Sequence, residues 1–162
     1  MFSADLVDRI LDTAPVARLA QKDLSGAPQA LPFVFARVAS SLWSPIDGKP
    51  KKRARLSRLE WIAADPRVLV LVDHYEDDWT QLWWLKLSGH ASVVDTPEPG
   101  WDEAVSGLAR KYPQYGQTPM FAGLPTMVRI EITHWKSWAS GGESALRRRY
   151  FPGPADAADP VC

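Results

Sequence analysis

The sequence has one cysteine, Cys162, at its last position. A single thiol makes neither an internal disulfide nor a cysteine-based zinc site, so no oxidising compartment is implied. Excess charge of either sign is also lacking: 19 basic residues balance 19 acidic ones. Domains that work by neutralising nucleic-acid phosphates carry an overall basic excess, so that class is set aside, although a local basic patch is allowed. No stretch approaches the ~18 consecutive apolar residues of a membrane-spanning helix. Met1-Phe2-Ser3-Ala4-Asp5 lacks the basic start and apolar run of a secretory signal. A cytoplasmic protein without membrane contacts is expected. No glycine fingerprint follows a strand, which excludes a Rossmann nucleotide fold. Ser44, Ser88 and Ser137 have no G-x-S-x-G setting, and no Ser/His/Asp set can be assembled from spacing. An enzyme built on this chain must therefore borrow its chemistry from a cofactor.

What is present fits one hydrophobic core. The 162 residues are 46% apolar and 23% charged, ordinary values for a single globular domain. Tryptophan is the outlier, with eight: Trp43, Trp61, Trp79, Trp83, Trp84, Trp101, Trp135 and Trp138. Most are expected in packing, since tryptophan buries a large area with few rotatable bonds. Those near strand ends could also stack on a planar ligand.

Apolar periodicity sets the order of elements. Leu6, Val7, Ile10, Leu11 and Ala14 recur at helical spacing after a capping Ser3, and Pro15 ends that helix. Strands are expected from residue 16, over 29–38 and over 41–46, separated by turn residues as in an antiparallel meander. A Pro/Gly loop leads to a second helix over 52–64, with Leu56, Leu59, Ile62 and Ala63 as its stripe. Val68 to Val72 is an unbroken apolar run, which predicts a central strand covered on both faces. The next strand, 81–94, alternates. Trp83, Leu85, Leu87, Ala91 and Val93 fall on a dry face, and Trp84, Lys86, Ser88, His90 and Ser92 on a wetter one. Gly89 marks a bulge or bend. A third helix follows Trp101, Ala104, Val105, Leu108, Ala109 and Tyr112, and a last strand covers 127–135. Beyond 140 the chain turns polar and rich in Arg, Pro and Ala. A flexible extension over 141–162 is expected, with an arm reaching over a partner subunit as the alternative. The whole predicts a mainly β fold, a six-stranded antiparallel barrel with about three peripheral helices, in one domain over 1–140.

The densest chemistry is the run Lys49, Lys51, Lys52, Arg53, Arg55 and Arg58, with no acidic residue inside it. Charge runs are usually solvated faces. Here the cations crowd a helix N-terminus, where the macrodipole already disfavours them by a few tenths of a kcal/mol each (about 0.3–1). A bound phosphate or carboxylate gives the arrangement a reason, and nucleic acid is the weaker competing ligand. The second candidate, Asp73-His74-Tyr75-Glu76-Asp77-Asp78, has poor ligand spacing for a metal and reads as an acidic hairpin turn, so no metal site is expected. His90 and His134 stand alone on strands and read as hydrogen-bonding groups.

Several longer stretches carry a resemblance. They are Asp47-x-Lys49-Pro50-Lys51, Arg55-Leu56-x-x-Leu59 and Ile62-x-x-Asp65-Pro66-Arg67-Val68. Further along come Leu71-Val72-Asp73-His74-Tyr75, Asp78-Trp79-x-x-Leu82-Trp83-Trp84 and Lys111-Tyr112-Pro113-Gln114-Tyr115. From about residue 6 to 140 the sequence resembles the pyridoxamine 5′-phosphate oxidase-like split-barrel superfamily, with its FMN-binding members, and within it the branch of F420-dependent oxidoreductases. The resemblance implies a homodimer with two cofactor sites at the subunit interface. It places the cofactor's phosphate and side chain against Ser44, Asp47, Lys49, Pro50, Lys51, Lys52, Arg55 and Leu59. The strand containing Pro32 and Phe33 would lie beside the ring, and aromatic residues of the partner, for which Trp79, Trp83 and Trp138 are the candidates, would complete the site. The implied reaction is hydride transfer between reduced coenzyme F420 and an organic acceptor. The alternatives on the same fold are an FMN-dependent oxidase or reductase and a flavin or deazaflavin carrier without turnover. No acid or base is assigned; Tyr75 and His74 are possible donors whose plainer reading is structural. The stretch after residue 140 lies outside the resemblance.

Overall fold

The computed structural model describes residues 1–46, 52–121 and 123–152, without the side chains of residues 52–56. The first helix, α1 (Ala4–Thr13), forms where the apolar spacing predicts it, and Leu6, Val7, Ile10 and Leu11 are all buried. Ser3 precedes the helix but its side chain does not cap it. Instead the Ser3 hydroxyl and backbone N–H donate to the Glu143 carboxylate, far along the chain.

Seven antiparallel strands follow rather than the six expected: β1 (Ala17–Lys22), β2 (Pro28–Phe33), β3 (Ala36–Val38), β4 (Ser41–Pro45), β5 (Arg67–His74), β6 (Trp83–Val94) and β7 (Met127–Ala139). The extra strand arises because the segment predicted as one strand over 29–38 breaks at Val34–Phe35. The sheet order is β2-β1-β5-β6-β7-β4-β3, so β2 and β3 lie at opposite edges. Laid flat, seven strands at about 4.8 Å spacing would hold those edges about 29 Å apart. Only Val34 and Phe35 join them, and three residue steps reach roughly 10 Å at most. The sheet must therefore curl until its edges nearly meet, as a barrel does.

Tyr112 holds that crossing. Its hydroxyl accepts from the Phe35 N–H and donates to the Phe35 carbonyl, each at 3.1 Å. Phe35 is fully buried.

The barrel interior is one cluster that includes Leu19, Phe33, Val70, Val72, Trp83, Leu85, Leu87 and Ile130. Helices α1, α2 (Lys52–Ala64) and α4 (Gly142–Tyr150) add Leu6, Ile10, Leu11, Ile62 and Leu146 to it. A second cluster lies where α3 (Trp101–Lys111) packs Trp101, Ala104 and Leu108 on Trp43, Val94 and Met127. Gly89 permits the bend between β6 and β7: a Cβ there would stand 2.4 Å from the Glu131 carbonyl oxygen. The register slips at this point, leaving Thr133 as the extra residue on β7.

Three further expectations are corrected. Residues 142–150, expected within a flexible extension, form α4. Leu146 is buried in the core, while Arg147 donates to Asp5 (2.7 and 3.1 Å) and to the Ser3 hydroxyl (3.0 Å). The central strand β5 is covered on one face only. Val68, Val70 and Val72 are buried, whereas Leu69 and Leu71 are half-buried on a face to which, among the described residues, no helix core residue contributes. Val93 keeps the parity of Ala91 but lies beyond the end of the core and is exposed, and Val94 instead faces α3.

Candidate functional site

Antiparallel partners point to the same side of a sheet, so register alone maps the open face. One row runs Pro32, Arg18, Leu71, Lys86, Lys136 across β2, β1, β5, β6 and β7. The next row toward the end of β5 is Asp73, Trp84, Trp138. Trp84 and Trp138 are direct cross-strand partners, and the Lys86 ammonium sits 5.6 Å from the Trp84 ring centroid, within cation–π range. Beside them a cleft of about 310 Å³ is lined by Leu71, Asp73, His74, Tyr75, Leu82, Trp83, Trp84 and Trp138. Tyr75 and Trp138 are exposed there, and Trp79 is exposed in the 3-10 turn (Trp79–Gln81) before β6. This is a surface on which a planar ring could lie.

The residues singled out from sequence divide in three. Pro32 is exposed and stands on the open face, and Trp79 and Trp138 are exposed. Phe33, Ser44, Leu59 and Trp83 are buried or half-buried, although Trp83 still lines the edge of that cleft. Phe33 is buried beside Phe35 (ring centroids 5.5 Å apart), Ser44 is buried on β4, and Leu59 packs against the interior cluster. Trp83 is only 5% exposed, because its strand parity turns it into the barrel, where Tyr150 of α4 meets it edge-on at 6.0 Å. Asp47, Lys49, Pro50 and Lys51 lie outside the described residues, as do the side chains of Lys52 and Arg55. Helix α2 does begin at Lys52, with no acidic residue in its first turn.

Trp84 was missed, although the alternation that sent Trp83 inward places Trp84 on the wetter face. Its pairing with Trp138 depends on register between β6 and β7, which no local pattern reveals.

In the acidic hairpin after β5, three of the four carboxylates have protein partners, Asp77 being the exception among the described residues. Arg18 pairs with Asp73 at 2.5 Å, His74 Nε2 lies 2.8 Å from Glu76, and Asp78 accepts from the Thr80 N–H and hydroxyl. Those two bonds hold the Asp78 carboxyl below its ordinary range. Among the described residues no three His, Cys, Asp or Glu side chains come together as a metal site. None of the helices is long and apolar enough to cross a membrane, again among the described residues. On the α3 side, Lys111 Nζ donates to the Leu11 carbonyl at 2.7 Å and sits 3.8 Å above the Phe35 ring. Desolvation lowers its pKa to about 8.

No protein-family model and no curated protein matches the chain. Solved structures do. A conserved hypothetical protein from Mycobacterium tuberculosis superposes with a TM-score of 0.65 at 19% identity, covering 94% of this chain and 91% of that one. A FAD-binding protein from Mesorhizobium loti gives 0.61 at 22% identity over 84% and 92%. A haem storage protein from Vibrio cholerae gives 0.64 at 13% over 86% and 95%. At such identities the likeness establishes architecture and leaves activity open. The chain has the FMN-binding-like split-barrel fold.

Proposed function

We propose that the chain is an F420-dependent oxidoreductase, working as a homodimer with cofactor held at the subunit interface. The observation that carries the reading is the six-cation run at residues 49–58, which enters α2 with no acid in its first turn. Cations at that end of a helix are unfavourable unless an anion joins them. Six are more than one phosphate needs, which favours a cofactor with a polyanionic tail, such as the oligoglutamate of F420, over FMN. The residues present fit such a group: a cation-rich helix start for the tail and an open face with paired Trp84 and Trp138 for a flat ring. Leu69, Leu71, Trp84 and Trp138 on that face support its burial against a second subunit.

When bound, the deazaflavin supplies the hydride chemistry. The protein's part is to anchor the phosphate and tail with Lys49, Lys51, Lys52 and Arg55, orient the ring and exclude water. FMN in place of F420 is the second reading, favoured by the FAD-binding structural neighbour.

Titration of the purified protein with FMN and with F420, followed by fluorescence quenching, tests this. F420 binding with weak or absent FMN binding is expected, and tight FMN binding with none of F420 would sink the proposal. Bound, reduced F420 that no enone, quinone or tetrapyrrole oxidises would make the chain a carrier.

A further inference from the structure

A second cleft, of about 570 Å³, opens at the end of β5, and no residue of β4 or α2 lines it. Small-molecule pockets commonly measure about 300–1,000 Å³. Its walls are the C-terminal ends of α1 and α4, the start of β1 and the end of β5. Arg9, Arg18 and Arg149 line it, against one carboxylate, that of Asp73. The two helix C-termini bring about half a negative charge each. The balance still leaves the cleft with about one uncompensated positive charge.

The arginines are only partly used within the fold. Arg18 pairs with Asp73, and Arg9 Nε donates to the Tyr150 carbonyl at 3.2 Å, closing the end of α4. Beyond that bond, the terminal nitrogens of Arg9 make no hydrogen bond or ion pair with the described residues, and neither does Arg149. Aromatic groups meet the cations here. Trp83 lines the cleft, Tyr150 stands edge-on to it, and His74 stacks on it with ring centroids 6.4 Å apart. The Trp83 indole Nε1 is buried and has no acceptor among the described residues. Burial raises the Tyr150 phenol above its ordinary pKa, so its hydroxyl remains a donor at neutral pH. Val16 and Val72 supply apolar wall.

We propose that this cleft binds a small aromatic carboxylate, its carboxylate gripped by Arg9 and Arg149 and its ring packed on the Trp83–Tyr150 side. The planar guanidinium fork matches a carboxylate, and one uncompensated charge matches a monoanion better than a doubly charged phosphate ester. Two of the contributing residues, Arg149 and Tyr150, come from the stretch of chain beyond the split-barrel resemblance. The site does not rest on the cofactor reading.

The probe is 2-naphthoate, titrated by calorimetry into the full chain with no flavin or deazaflavin present. Saturable one-to-one binding is expected, with 2-naphthamide, its neutral counterpart, at least tenfold weaker. Arg149→Gln is expected to weaken 2-naphthoate at least tenfold with an unchanged circular dichroism spectrum, since Arg149 is exposed. Arg9→Gln is expected to do the same. Should it loosen α4, Arg149→Gln alone decides. Inorganic phosphate at the same concentration is expected not to displace the probe. Absent binding, equal affinity for acid and amide, displacement by phosphate, or an Arg149→Gln affinity equal to wild type would each overturn the proposal.

Discussion

The Tyr112 hydroxyl lies 3.1 Å from both the backbone nitrogen and the backbone oxygen of Phe35, and so satisfies one of the two residues on which the chain passes between the edges of its sheet. A strand that changes edges leaves peptide groups without ladder partners, and a phenol can both donate to and accept from such a residue. The split in the barrel is thus held by a side chain from α3's C-cap rather than by strand pairing.

Tyr112→Phe keeps the ring and removes both bonds, leaving a buried N–H and C=O of Phe35 unpaired. A loss of about 1–3 kcal/mol in unfolding free energy is expected. Urea denaturation of the variant beside the wild type measures it.

Lys111, next along the chain, gives the fold a pH signature. Its pKa is lowered to about 8 from an ordinary 10.5, chiefly by desolvation, with Asp12 partly opposing. Between those two values the unfolded chain still holds the proton and the folded one has released it, so unfolding free energy rises with pH across the window. Wild-type stability relative to Lys111→Met is therefore expected to climb from pH 8 to pH 10. Paired urea curves at the two pH values test the sign; a gap that does not change would show that the lysine is not desolvated.

Leu146→Ala asks whether α4 belongs to the core. Leu146 is 6% exposed and joins the interior cluster, so a loss of about 2–5 kcal/mol is expected. Urea denaturation gives the value, and a change within about 0.5 kcal/mol would mark α4 as a surface appendage. Asp5 and Glu143, which tie α4 to the N-terminus, both have carboxyls held below their ordinary values, Asp5 first by Arg147 and Glu143 first by Ser3. Their contribution is complete above the ordinary carboxylate range and fades as pH falls through and below it.

The elements legible in the sequence were those whose cause is local. The Trp101, Ala104, Leu108, Tyr112 stripe is a period of 3.6 that only a helix satisfies, and α3 buries those residues. The alternation from Trp83 to Ala91 separated the two faces of β6 because the pleat has a period of two, and Gly89 marked the bend. What stayed hidden was set by partners distant in sequence. Val34 and Phe35 are good strand formers, so nothing local marks them as the crossing; the residue that satisfies the break, Tyr112, is 77 positions away from Phe35. Helix α4 is polar and arginine-rich, and its anchors, Ser3 and Asp5, lie at the other end of the chain. Leu69 and Leu71 look central from composition yet face an uncovered side, because composition does not say which face a helix will occupy.

Those same residues bear on function. The basic run was visible as composition, and the structure adds that α2 starts within it and that the open face carries a tryptophan pair. Replacing Trp84 with Ala is expected to weaken cofactor binding by about 5- to 150-fold, on a base-like stacking contribution of about 1–3 kcal/mol for a planar ring. Trp79→Ala, on a separate turn, reports by contrast whether that turn also reaches the ring. Equilibrium titration of each variant measures both.

The most direct measurement of the central claim is the F420 affinity of Lys49→Ala/Lys51→Ala against that of the wild type, with unfolding curves recorded for both. The account predicts cofactor binding at least tenfold weaker in the double variant and superimposable unfolding. Wild-type affinity in the double variant would show that the cluster is a solvated helix face and would contradict the account.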